Sequence, residues 1–176
     1  MYLTKDNIRL RALEPEDLDF LFTTENDEDF WQISSTQVPF SKHLLAKYIA
    51  NSHMDIYQAK QLRLVIDYQK QAIGFIDLFD FNPQHQRAGI GILIVKEFQN
   101  KGLGLKVLNL IVDYAFNVLL LHQLYADIET DNTASIKLFK KANFRLVGVK
   151  KEWNFTNNGY KDEALYQLIN KTNVTF

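Results

Sequence analysis

The 176 residues contain no cysteine, which removes several chemistries together. A disulfide framework, a thiolate zinc site, an iron–sulfur cluster and a cysteine nucleophile are all excluded. Charge of one sign is also lacking. Twenty Lys and Arg stand against 21 Asp and Glu, for a formal net charge of −1. So balanced a chain does not fit a general nucleic-acid binder, which carries a clearly basic domain. No apolar run approaches the roughly 18 residues that span a bilayer. The richest strand-like one, Gly89 to Val95, is far shorter. The opening Met1-Tyr2-Leu3-Thr4-Lys5-Asp6 lacks the basic-then-apolar profile of a signal peptide. The expectation is a cytoplasmic protein without membrane or nucleic-acid partners. Seven glycines and three prolines are scattered without repeat or linker. One domain is therefore expected, spanning 1–170, with 171–176 as a tail. A chain of this size buries about 70% of its unfolded surface and folds without a staple or a metal.

What is present alternates between strand and helix periods. Asn7 to Leu13 has the two-residue period of a half-buried strand. Glu14-Pro15-Glu16-Asp17 reads as a helix start, proline and acids in the first turn, with the helix ending near Glu25. Ser41 opens a second helix with Leu44, Leu45, Tyr48 and Ile49 on one side. Gln61–Tyr68, Ala72–Phe81 and Arg87–Val95 read as three strands joined by short turns, an antiparallel meander. From Leu103 to Leu121 the polar residues Lys106, Asn109, Asp113 and Asn117 form one stripe on an otherwise apolar, largely buried helix. His122–Thr130 is a strand and Asn132–Lys141 a short helix. Lys150–Phe155 and Glu163–Ile169 pair as a hairpin around Asn157-Asn158-Gly159. The sum is a single-domain α/β (α+β) fold, with a mixed, mostly antiparallel twisted sheet of about 6–7 strands and about 4 helices.

An anion site is visible where Ile90–Val95 runs through Lys96-Glu97-Phe98-Gln99-Asn100-Lys101-Gly102-Leu103-Gly104 into the long helix. The first amides of a helix have no internal partners and sit at the positive end of its dipole. Gly102 and Gly104 let those amides approach a phosphate with no Cβ in the way. A Walker loop is absent, and the dinucleotide fingerprint fails because Val107 occupies its third glycine position. What remains is Gln-x-x-Gly-x-Gly. Lys96, Lys101 and Lys106 nearby add positive charge, although exposed lysines are common.

These residues carry a resemblance. Gln99-Asn100-Lys101-Gly102-Leu103-Gly104 resembles the Gln/Arg-x-x-Gly-x-Gly/Ala signature of the GCN5-related N-acetyltransferase (GNAT) family. Asn132-Thr133-Ala134-Ser135-Ile136-Lys137-Leu138-Phe139, followed by Ala142-Asn143-Phe144, resembles that family's second block. Ile8-Arg9-Leu10-Arg11 and Pro15-Glu16-Asp17 match its first strand and helix. Asp113-Tyr114-Ala115-Phe116, Leu124-Tyr125, Trp153 and Gly159-Tyr160-Lys161-Asp162 are most similar to the spermidine and ribosomal-protein N-acetyltransferase branch.

The resemblance implies a GNAT fold, acetyl-CoA as cosubstrate and a primary amine as acceptor, such as spermidine or a related small amine. Direct attack in a ternary complex is implied, and the missing cysteines agree. The pyrophosphate would rest on the amides of Gln99, Asn100, Lys101, Gly102, Leu103, Gly104 and Leu105. The pantetheine arm would lie along Leu93, Ile94 and Val95, with Asn132 and Ser135 touching it. Backbone N–H of Ile94 or Val95 would meet the developing oxyanion. An alkyl ammonium of pKa near 10.4 must lose a proton before it attacks. Asp77 or Asp80 is the candidate base or cation binder, and alternation puts the two on opposite faces; each is also readable as a solvated strand acid. The family's tyrosine acid corresponds to Phe139, which has no proton to give. Water, Tyr114, Tyr166 or no acid would then serve the thiolate. Two rival readings are a protein amino-terminal acetyltransferase and a non-catalytic acyl-CoA-binding module.

Other features read more plainly. His43, His53, His85 and His122 show no ligand spacing, so no metal is expected. Glu25, Asp27, Glu28 and Asp29 either draw in a polyamine or form a solvated loop. Trp31 is a substrate-wall or packing residue. Phe75, Phe79 and Phe81 read as core or interface residues, and the apolar closing hairpin fits a homodimer or higher homo-oligomer.

Overall fold

A computed structural model describes residues 2–34, 38–52, 54–156 and 158–171, with the backbone alone at 32–34. His53, Asn157 and residues 172–176 of the expected tail lie outside the described residues. The described chain holds eight strands and six helices. The short strand β1 (Thr4–Lys5) precedes β2 (Ile8–Arg11). Glu14 and Asp17 then cap a 3-10 turn, Pro15–Asp17, reciprocally. Helix α1 (Leu18–Glu25) follows directly. α2 (Glu28–Ser34) has Glu28 and Asp29 in its first turn, where acids stabilise a helix. α3 (Lys42–Ala50) starts under Ser41, whose hydroxyl accepts from Leu44 N–H. α4 (Ile56–Ala59) is one turn capped by Asp55.

The sheet continues with β3 (Leu62–Tyr68), β4 (Gln71–Asn82) and β5 (Arg87–Ile94). After a 3-10 turn at Lys96–Phe98 comes α5 (Leu103–Asn117). β6 (Gln123–Glu129), α6 (Thr133–Lys141), β7 (Arg145–Thr156) and β8 (Gly159–Ile169) complete the chain. The strand order is β1-β2-β3-β4-β5-β6-β8-β7. Every pairing is antiparallel except β5 with β6.

The architecture is the expected α/β sheet, with a few more elements than the sequence predicts. β1, α2 and α4 are too short to show a period. The long helix stops at Asn117 and not at Leu121, because Leu120 turns into the left-handed region at φ 53°. The hairpin strand β7 begins five residues earlier than expected.

Two cores lie on the two faces. Under α5 and α6 pack Ile66, Ile76, Leu78, Leu124, Val107, Leu108, Ile111 and Phe139. Lys106, Asn109, Asp113 and Asn117 of α5 are exposed, as their spacing predicts. Under α1 and α3 a smaller core gathers Leu13, Leu21, Leu45, Ile49, Val65 and Phe75. β7 is the outer edge, its register with β8 broken twice, and Glu152 there takes φ 50°.

Candidate active site

β5 and β6 pair in parallel over only three residues, from Arg87↔Gln123 to Gly89↔Tyr125. Beyond Gly89 the strands part, while β5 stays bonded to β4 as far as Gly74↔Ile94. One edge of β5 from Ile90 to Ile94 therefore faces a gap. Val95 N–H donates to the Ile73 carbonyl at 2.9 Å. Antiparallel alternation then turns the N–H groups of Ile92 and Ile94 into the gap. Of the two expected oxyanion donors, Val95 is spent on the sheet and Ile94 is the one presented.

The loop that follows is held tightly. Gln99 Nε2 donates to the Ile94 carbonyl at 2.7 Å, and Gln99 N–H donates to the Lys96 carbonyl at 3.2 Å. Gln99 thus fixes the loop and its own amide is not free for an anion, contrary to expectation. Asn100 takes φ 58° and Gly102 φ 74°, which aims the chain into α5 at Leu103. The two glycines differ in purpose. A Cβ on Gly102 would meet no protein atom within 4 Å, so the cradle is open there, and its φ calls for glycine. A Cβ on Gly104 would lie 3.1 Å from Leu138 Cδ2 and 3.8 Å from Ile94 Cδ1. Gly104 is there for close packing of α5 against α6 and β5, not for approach of an anion.

The lysines are partly diverted. Lys96 pairs with Asp29, Lys106 with Asp6 at 3.2 Å, and Lys101 lies over the Phe98 ring. On α6, Asn132 Oδ1 caps the helix by accepting from Ser135 N–H at 3.1 Å. These groups fit an extended arm ending in a diphosphate: a strand edge to bond, unpaired helix amides, and room at Gly102.

The opposite face carries side-chain chemistry. Arg63 Nε and Nη2 bind both oxygens of Asp77, at 2.7 and 3.1 Å, and its Nη1 binds Glu25 at 2.5 Å. Burial works against the Arg63 charge, but Asp77 and Glu25 outweigh it and hold the guanidinium protonated. Asp77 is therefore an ion-pair partner, not the free base considered above. Trp31 Nε1 donates to the Glu25 carbonyl at 2.9 Å. The acidic stretch divides: Glu25 is part-buried and paired with Arg63, whereas Glu28 and Asp29 are exposed in the first turn of α2, where Asp29 pairs in solvent with Lys96 just past β5.

Asp80 is placed differently. The β4–β5 register shifts between Phe79 and Asn82, and Asp80 takes φ 48°. The alternation argument fails at this bulge. Asp80 Oδ2 accepts from the Tyr125 hydroxyl at 3.1 Å, and the Tyr125 ring meets Phe79 edge-on at 5.9 Å. Phe79 and Asp77 share a face, so Asp80 reaches the side that Asp77 occupies. Burial first, then the Asp80 charge, pushes the Tyr125 phenol up to about 12. Sequence reasoning does not reach Tyr125 as a site residue. The signal was Gly89-Ile90-Gly91, since glycine inside a strand marks close approach.

Phe139 lies on the buried side of α6, edge-on to Phe144 with ring centres 5.0 Å apart. Tyr114 stands about 16 Å along α5 from Leu103, partly buried against the core under that helix. The Tyr166 ring is buried in the same core as Phe139, on β8 opposite Ala126. Among the described residues no group of His, Asp and Glu is placed to hold a metal ion. No helix there is long and apolar enough to cross a membrane.

Comparison with known proteins agrees with this arrangement. The model of the acetyltransferase (GNAT) domain matches residues 7–145. A spermidine N(1)-acetyltransferase of Vibrio cholerae serotype O1 is 30% identical over 169 residues, covering 93% of this chain and 94% of the relative. That of Escherichia coli K12 is 28% identical over 159 residues, covering 89% and 82%. The crystal structure of spermidine N-acetyltransferase from Vibrio cholerae in complex with CoA and spermine superposes with a TM-score of 0.84. It is 29% identical and the match covers 94% of this chain and 96% of that one. A dodecameric structure of the enzyme from the same organism gives a TM-score of 0.78, at 29% identity and with 94% and 95% covered. A strand edge opened beside a helix amino terminus, the two sequence blocks and the family match lead to one conclusion: this chain belongs to the GNAT family and is an acetyl-CoA-dependent N-acetyltransferase.

Proposed function

We propose that the acceptor is a polyamine such as spermidine, or a related small primary amine, acetylated by direct attack in a ternary complex. The observation that carries this reading is the position of Asp80, an exposed carboxylate outside any ion pair among the described residues, beside the point where β5 and β6 part. A cationic substrate would be drawn there. The relatives named as spermidine acetyltransferases match this chain over most of their length, and the Vibrio cholerae enzyme is described with spermine bound.

Acetyl-CoA supplies the acetyl group as a thioester. Leu93, Ile94 and Val95 would hold its arm along the free edge of β5, with Asn132 Nδ2 and the Ser135 hydroxyl on the other side. The amides from Asn100 to Leu105 would take the pyrophosphate at the start of α5. Ile94 N–H is the donor for the carbonyl oxygen, and Asp80 the acceptor of the amine's proton. Asp77 keeps Arg63 and Glu25 in place beneath, and Trp31 closes that side. Phe139 gives no proton, so the thiolate leaves with help from water or Tyr166; a thiol of pKa near 8.5 tolerates this.

The domain would span 1–170 and act in the cytoplasm. Leu146, Val147, Trp153, Phe155 and Tyr160 are exposed on the closing hairpin, which fits a homo-oligomer like the dodecamer of the Vibrio cholerae enzyme. A panel of polyamines, simple amines and peptides, read by release of free thiol from acetyl-CoA, tests the assignment. Turnover confined to peptide amino termini would replace it with the ribosomal-protein type.

A further inference from the structure

Gly89 and Gly91 lie on β5 outside the cofactor loop, and they have a different use. A Cβ on Gly89 would overlap the Phe79 ring, and one on Gly91 would touch it at 3.8 Å. The missing side chains let Phe79, from β4, lie across β5 and meet Tyr125 of β6 edge-on, at 82° between ring planes. Tyr125 in turn donates to Asp80 Oδ2 at 3.1 Å. Residues from β4 and β6 thus join over the strand between them. They do so at Gly89↔Tyr125, the last pair before the gap opens. Asp80 takes a left-handed φ at a bulge, a conformation that persists only where neighbours hold it. One carboxylate oxygen is occupied by the phenol, and among the described residues nothing is bonded to Oδ1.

We infer that Phe79, Tyr125 and Asp80 form the subsite for the reacting alkylammonium of the acceptor, with Tyr125 as a positioning residue that aims the Asp80 carboxylate. The inference rests on the amine-acetylation reading above and names the side chains that would serve it. An ammonium meets an anion and two aromatic surfaces, both attractive to a cation. Its N–H donates to Asp80 Oδ1. The proton leaving nitrogen passes to that oxygen and then to solvent on the exposed side, freeing the nitrogen lone pair. Tyr125 keeps its own proton, because burial and the charges of Asp80 and Asp127 hold the phenol neutral against the opposing Arg87.

The test uses protein carrying 13Cζ-tyrosine, titrated with spermidine and, as a neutral control, 1,4-butanediol. The Tyr125 signal, identified by its loss in Tyr125→Phe, is expected to move with spermidine alone, and only weakly in Asp80→Asn. In steady-state assays Tyr125→Phe is expected to lower kcat/KM for the amine about tenfold, the size of a lost hydrogen bond to a charged group. KM for acetyl-CoA should stay unchanged. Gly89→Ala, which displaces the Phe79 ring, should act in the same direction. A stationary Tyr125 signal under saturating spermidine overturns the subsite. So does unchanged amine kcat/KM in Tyr125→Phe. A signal that moves without any acetylated amine formed upholds the subsite and overturns the acetylation of polyamines.

Discussion

The two sides of β5 are built by different means. Toward α5 the groups offered are main-chain ones: the Ile90–Ile94 edge, the first amides of the helix, and the space left by Gly102. Toward α1 and α3 they are side chains locked in pairs, Arg63 with Asp77 and Glu25, Tyr125 with Asp80. Main-chain geometry is indifferent to most substitutions and specific for a shape. Paired side chains are sensitive to each exchange and specific for a charge. One side suits a carrier common to many reactions, and the other can be re-tuned for an acceptor.

The sharpest way to break this contrast is Gly102→Trp. It fills the open cradle and forces a bulky residue to φ 74°, so CoA affinity by calorimetry should fall more than about 100-fold, roughly 2.8 kcal/mol. Unchanged affinity would remove the main-chain site. On the other face, Arg63→Met leaves Asp77 and Glu25 charged, part-buried and unpaired. A loss of about 2–3 kcal/mol is expected in urea unfolding, below the range for wholly buried pairs because each group keeps some solvent.

A third expectation concerns acid. Burial raises the Asp17 carboxyl, but bonds from Arg11 and from Glu14 N–H outweigh it and hold it below its ordinary value of 3.8. A depressed carboxyl stabilises the fold above its unfolded pKa and ceases to as pH falls through the folded one. Stability should therefore drop below about pH 4, and less so in Arg11→Met, as followed by circular dichroism. The smallest effect is expected from Gly104→Ala. The Leu138 methyl it meets ends a flexible side chain, and alanine favours helix, so stability should change by less than about 1 kcal/mol. CoA affinity should hold within about threefold. A larger loss would return Gly104 to the anion site.

The same contrast decides what was legible in the sequence. Gln99-x-x-Gly102-x-Gly104 and the helix behind it are local, so order and spacing expose them. The ion pair Arg63–Asp77 joins adjacent strands, and Asp80–Tyr125 spans 45 residues; no local pattern announces either. Alternation along β4 misled for Asp80 because a bulge adds a residue where the period is assumed unbroken. The acids before Trp31 read as loop because α2 is two turns long, too short to declare a period. Gly104 was assigned by its motif, whereas the methyl groups around it give it another purpose.

The irregular outer edge of β7 has a consequence for life in a crowded solution. A straight twelve-residue border with free donors and acceptors would invite another sheet to continue it without limit. The breaks at Leu146–Gly148 and Lys150–Asn154, with Glu152 turned out of line, interrupt that template. They favour closed assemblies over fibres.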